Sequence, residues 1–287
     1  MPPIHPPPPE DLNGLLDAFE HTLQAVVDLG HACHPDDFDK PTECQGWSVK
    51  DQIAHIVGAE KAMSGMPPAG DEVTHHRHAG GRLGEQLERD VEERRALPGP
   101  QVVAELASYL PDRMAELRES GATLDTVVGG VVGPETTFRL QLQRRIIDVW
   151  CHEQDIRSAL DRPGNLDAAG ARIFTAAVLD QLPRLVARVA QVPSGQTVVL
   201  DVTGPVLARG GARVTTGDDG RPAGEVLFSG QGRAEGEEHS DVTTVHLTTE
   251  ALTRRAAGRR TAGETHYTVT GDEQLARRAL DALDATF

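Results

Sequence analysis

The chain has 287 residues, comfortable for two domains, with 28 Lys and Arg against 44 Asp and Glu, a formal net charge of -16. That balance excludes non-specific binding to nucleic acid, whose phosphates demand a positive face, although a site's local field can still suit an anionic substrate. No stretch approaches the roughly 18–20 apolar residues needed to span a bilayer; the opening Met1-Pro2-Pro3-Ile4-His5 lacks a signal peptide's basic start and apolar core; and Cys33, Cys44 and Cys151 form no CxxC framework, so a soluble cytoplasmic protein is expected.

Residues 1–10, rich in proline, read as a poorly ordered lead-in. From residue 11 to about 31, Leu12, Leu15, Leu16, Phe19, Leu23, Val26 and Val27 recur at helical spacing. Residues 36–46, with Asp and Pro, form a connection. Ser48 then caps a helix over 49–63, and Asp51 three residues on completes a capping box. Residues 64–82 read as a loop carrying His75, His76 and His78. Two amphipathic segments follow, 83–95 and 102–119, split by Leu97-Pro98-Gly99-Pro100. The acidic residues Glu85, Glu88, Asp90, Glu92 and Glu93 read as a solvated helix face. Strand-like pieces are expected around 127–132, then a helix over 138–160 stopped by Asp161-Arg162-Pro163-Gly164.

Beyond that point the pattern changes. A helix over 167–189 leads into β-type runs at 197–202, 212–216, 225–228, 243–247 and 265–270, with helices at 249–257 and 272–283. An all-helical half followed by strands mixed with helices predicts an α+β protein. The expected division is 1–10 as a tail, 11–163 as a helical domain and 167–287 as an α+β domain.

The candidate chemistry centres on the helix over 138–160. Asp148 and His152 are four residues apart and so share one helix face, with Asp155 three residues further on. A carboxylate and an imidazole so placed can hold a divalent metal, but they need a third ligand. His55, inside the capped helix, is the best candidate. Three ligands leave an open position on Zn²⁺ or a similar ion, the mark of a catalytic site. Asp155 would then hydrogen-bond a ligand imidazole and fix its tautomer. Spacing alone equally suits a core histidine at His55 and a surface contact in which Asp148 pairs with Arg144 or Arg145.

The segment Pro41-Thr42-Glu43-Cys44-Gln45-Gly46-Trp47-Ser48-Val49-Lys50-Asp51-Gln52-Ile53-Ala54-His55 resembles the T-x-C-x-G-W-[ST]-V-x-D-x-x-A-H signature of the DinB-like metalloenzyme superfamily. More closely, the chain resembles the mycothiol-dependent maleylpyruvate isomerase family. Asp148-Val149-Trp150-Cys151-His152-Glu153-Gln154-Asp155-Ile156-Arg157 is similar to that family's second motif. Leu252, Gly258-Arg259-Arg260, Val269-Thr270-Gly271-Asp272 and Leu275-Ala276 are similar to its C-terminal domain.

The resemblance implies a DinB-like four-helix bundle followed by a smaller sterol-carrier-protein-like α+β domain. It implies zinc held by His55, Asp148 and His152, where the family's acid is commonly Glu. It also implies mycothiol as thiol cosubstrate and, as partner, a small-molecule electrophile. A metal-held thiol is deprotonated and attacks an electrophilic carbon. The outcome is either a stable conjugate or cis–trans isomerisation of a maleylpyruvate-like substrate. An anionic substrate needs a cationic clamp, for which Arg144, Arg145, Arg157, Arg259 and Arg260 are candidates; Arg259 and Asp155 are the expected catalytic residues, and Arg145 and Arg157 the expected cofactor-binding ones. The alternatives are a metal-dependent hydrolase and a non-catalytic ligand-binding protein. A monomer or homodimer is expected.

Overall fold

The computed structural model describes residues 7–66, 81–129, 135–230 and 241–283. The His75, His76 and His78 cluster and the first six residues of the proline-rich tail lie outside them. Two compact units divide the chain, one spanning Pro9–Gly164 and the other containing Asn165–Phe287.

In the first unit the apolar stripe of α1 (Leu12–His31) buries Leu15, Phe19, Leu23 and Val26. A short 3-10 turn, Pro35–Asp39, follows and sinks Phe38. The second helix, α2 (Val49–Met63), starts where the sequence places it. Ser48 Oγ accepts from the Asp51 amide, and the Asp51 carboxylate accepts from the Ser48 amide. Helix α3 is Gly81–Arg95. Helix α4 (Gly99–Glu119) begins three residues earlier than the sequence reading, because Pro100 lies in its first turn, where a proline lacks no needed N–H. Strands β1 (Val127–Val128) and β2 (Thr136–Thr137) form a two-stranded antiparallel sheet leading into α5 (Phe138–Ala159). Helix α1 packs on α4 and α5, and α2 packs on α3, α4 and α5. Ile53, Ile56, Leu106, Met114, Ile146 and Trp150 fill the space between them.

In the second unit α6 (Ala169–Arg184) passes into a π-type turn, Leu185–Val189. The sequence suggested one helix through 189. Pro183, inside it, removes an N–H and loosens the ladder there. Five strands follow: β3 (Thr197–Thr203), β4 (Leu207–Thr216), β5 (Pro222–Gly230), β6 (Val242–Leu247) and β7 (Tyr267–Thr270). They make one sheet in the order β5-β4-β3-β6-β7, parallel between β3 and β6 and antiparallel elsewhere. Strand β4 is longer than expected. Gly210 and Gly211 look like breakers, yet Gly210 lies directly beneath Leu179 of α6, and the register shifts between Gly211 and Ala212. Helices α7 (Thr249–Ala256) and α8 (Glu273–Ala282) complete the unit, α7 against β3 and α8 across β3, β6 and β7. No helix among the described residues is long and apolar enough to cross a membrane.

Candidate metal centre

The first motif folds into a closed loop that delivers Trp47 to the start of α2. The Thr42 amide donates to the Trp47 carbonyl, the Trp47 amide to the Cys44 carbonyl and the Val49 amide to the Lys40 carbonyl. Gly46, third of the four turn residues Cys44–Trp47, has φ +85°. That value suits glycine and strains any side chain. The Trp47 ring then lies 4.9 Å from His55 and 5.7 Å from His152, centroid to centroid. Its Nε1 donates to Glu88 Oε2 of α3 at 3.0 Å.

Helix α2 contributes His55; α5 contributes Asp148 and His152 from successive turns. His55 Nε2 is 3.4 Å from Asp148 Oδ2, and His152 Nε2 is 3.5 Å from Asp148 Oδ1. One donor atom from each residue lies within 4.8 Å of the others. Metal bonds of about 2.0–2.2 Å at tetrahedral angles separate donors by about 3.3–3.6 Å. The two histidine–carboxylate separations match that range, the trio as a whole is close enough to gather round a divalent ion, and two imidazoles with one carboxylate suit zinc-type chemistry. Both histidines are buried, whereas the Asp148 side chain is 37% exposed, so the group opens to solvent on the carboxylate side.

A hydrogen-bond chain sets the tautomer of His152. Thr42 Oγ1 donates to the Trp47 carbonyl at 2.8 Å, which can only accept. With its proton so used, Thr42 Oγ1 accepts from Gln52 Nε2 at 2.6 Å. The other amide atom, Gln52 Oε1, then accepts from His152 Nδ1. His152 Nε2 is left with its lone pair toward Asp148. This is how an outer residue orients a metal-ligating imidazole.

Electrostatics divide the two histidines. Burial holds His55 below its ordinary pKa. Burial also disfavours a charged His152, but the Asp148 and Asp155 carboxylates outweigh it and raise that pKa. Desolvation opposes ionisation of Asp148, yet Arg145 with the two imidazoles holds its carboxyl well below the usual range. Arg145 Nη1 donates to Asp148 Oδ2 at 2.8 Å, and its Nε to Glu60 Oε1 at 2.7 Å.

The other sequence candidates are placed variously. Asp155 is fully buried behind His152, its Oδ2 3.5 Å from Nδ1, while Gln52 makes the closer contact. Arg145 touches the trio through Asp148. Arg157 lies about 140° around the helix from His152. It turns instead to Glu153, at 2.7 Å, and to the Arg162 carbonyl. Arg259 belongs to the second unit, where its Nη1 donates to the Ala257 carbonyl. The cysteines are free thiols, with Cys151 buried in α5.

The acidic run on α3 is not simply a solvated face. Glu88 and Asp90 are buried, Glu88 paired with Arg95 as well as Trp47, and desolvation pushes Asp90 up to about 6. Sequence reasoning missed Gln52, although it precedes His55 by three residues and so shares its helix face. It also missed Glu60, whose partner Arg145 comes from α5 and has no local signature.

Residues 19–157 match the family model described as the mycothiol maleylpyruvate isomerase N-terminal domain. No curated protein matches the chain by sequence. Among solved structures, the chain is similar to a mycothiol-dependent maleylpyruvate isomerase at 16% identity and a TM-score of 0.54, over 90% of this chain and 93% of that one. A histidine-to-alanine variant of such an isomerase aligns over the same shares, at 15% identity and a TM-score of 0.53. At that identity the likeness is one of fold. Through the match over residues 19–157, it is the helical unit that belongs to the mycothiol maleylpyruvate isomerase N-terminal domain family.

Proposed function

We propose that the chain is a thiol-dependent metalloenzyme of this family, in which His55, Asp148 and His152 hold a divalent metal, zinc by its donor set. The observation that carries this reading is the convergence of two imidazoles and one carboxylate on an open side, with Gln52 directing the proton of the neutral His152 ring to Nδ1. The family and the solved structures of like fold supply the thiol: they are mycothiol-dependent isomerases. A bound divalent metal lowers a thiol's pKa from its usual value of about 8.5, so that thiolate is present at neutral pH.

The chain's own residues have defined tasks in this reading. Trp47 covers one side of both imidazoles and keeps water from them. Arg145 holds the ligating carboxylate and brings positive charge to the open side, where an anionic substrate or thiol approaches. Asp155, buried behind His152, supports its protonated Nδ1. Arg259 remains the candidate substrate clamp from the second unit.

The reaction class is thiolate addition to an electrophilic carbon. In a cis-enedione such as maleylpyruvate, addition forms a C–S bond and leaves a C–C single bond free to rotate. Loss of the same thiolate restores the double bond in trans geometry. Without that loss the product is a thioether, and the enzyme is an S-transferase. In architecture we read the first unit as a DinB-like four-helix bundle and the second as a sterol-carrier-protein-like domain, in a soluble, cytoplasmic protein.

The test is titration of the zinc-loaded protein with mycothiol, followed by the ultraviolet absorbance of metal–thiolate formation. Saturable binding at one thiol per chain is expected. Zinc bound with no response to thiol would favour hydrolysis and overturn this proposal.

A further inference from the structure

We infer that Glu60 is a positioning residue for the metal centre and acts through Arg145; the inference rests on the metal reading above. Glu60 is buried near the end of α2 and touches none of the three proposed ligands. Its two oxygens are each taken by the Nε of a different arginine, Oε1 by Arg145 at 2.7 Å and Oε2 by Arg113 at 2.9 Å. Arg113 is fixed in turn by Ser64 Oγ at 3.1 Å and Glu116 Oε2 at 3.0 Å. A continuous polar relay therefore runs from exposed Glu116 to Asp148.

The relay decides how Arg145 meets the ligating carboxylate. Arg145 reaches Asp148 with Nη1 alone, on Oδ2 at 2.8 Å, while Oδ1 faces His152 Nε2 at 3.5 Å. Arg145 Nη2 is buried without a hydrogen-bond partner. A guanidinium beside a carboxylate favours a two-pronged contact, which would satisfy that nitrogen. The anchor at Glu60 holds Nε elsewhere and so keeps the fork from closing on both oxygens. Glu60 also neutralises Arg145, whose charge would otherwise be balanced only by the ligating Asp148 carboxylate, next to a dication. Removing the Glu60 charge frees Arg145 to compete for Oδ1 and adds repulsion. Both effects act against metal binding.

The test uses the full chain with Glu60→Gln. The zinc dissociation constant is read by competition with a chromophoric chelator, and the ligand geometry by the visible absorption of the Co²⁺-substituted protein. Affinity is expected to fall by about tenfold or more, the usual effect of losing an outer-shell partner, with a shifted Co²⁺ band and unchanged far-ultraviolet circular dichroism. The double variant Glu60→Gln, Arg145→Met should recover part of the loss, because the freed guanidinium is gone. Should Glu60→Gln fail to fold, Glu60→Asp, too short to reach both guanidinium groups, reads the same quantities. A folded variant with wild-type affinity and spectrum overturns the inference, and a double variant no better than the single one overturns the route through Arg145. Wild-type protein that binds no zinc overturns the metal reading itself, a separate failure.

Discussion

At the scale of single residues, spacing made the trio a candidate group, and the resemblance of its two motifs to a known family, not spacing, singled it out. Asp148 and His152 sit four apart on one helix, and His55 follows a clear cap. Gln52 was within reach of the same reasoning, three residues before His55, but amides carry no strong signal as metal-site residues. Its role gives a direct expectation. Gln52→Leu leaves His152 Nδ1 only the longer contact to Asp155 and loosens the ring's orientation, so zinc affinity should fall about 10–100-fold in a chelator competition. An unchanged affinity would show that the Thr42–Gln52 chain does not orient the imidazole.

Asp90 carries a different expectation. Its pKa is raised to about 6 by desolvation, and its Oδ1 is buried without a partner. Between about pH 4 and pH 6 the folded chain holds a proton that the unfolded chain releases, so this group's contribution to stability falls as the pH rises through about 6. Asp90→Asn should therefore stabilise the protein at pH 7.5, by on the order of 1–3 kcal/mol, and change little at pH 4. Denaturant melts at the two pH values check it; a variant less stable at pH 7.5 would contradict it.

At the scale of elements, α2 was the most legible, because a capping box fixes its start in a few residues. Ser48→Ala should cost about 1 kcal/mol and loosen the turn that carries Gln52. What sequence could not show was how closely helices approach. Gly58 on α2 faces Asp90 so tightly that an added Cβ would lie 2.4 Å from the Asp90 Cβ. Alanine would favour an isolated helix by about 1 kcal/mol over glycine, but here it must push α3 away. Gly58→Ala should therefore destabilise by about 1–3 kcal/mol, seen as a lower denaturation midpoint; a stabilised variant would show that α3 yields freely. The same limit hid the full length of β4, where Gly210 serves a close contact with Leu179 rather than a break. It also hid the inward turn of Glu88 and Asp90, since an acidic helix reads as solvated until its partners Trp47 and Arg95 are placed.

At the scale of the whole molecule, the two units divide near residue 165, one helix before the strand period begins at Thr197. All three proposed ligands belong to the first unit, joining α2 to α5 across its core. Metal binding should then stabilise that unit. At about a hundredfold excess over the dissociation constant the gain is about 2.7 kcal/mol, or roughly 5–10 °C in its melting transition. The most direct measurement is the metal content of the full chain purified without chelators, wild type beside His152→Ala, by elemental analysis. About one zinc per wild-type chain, lost in the variant, is the result expected of a catalytic three-ligand site. No metal in either protein, or equal metal in both, would contradict the account.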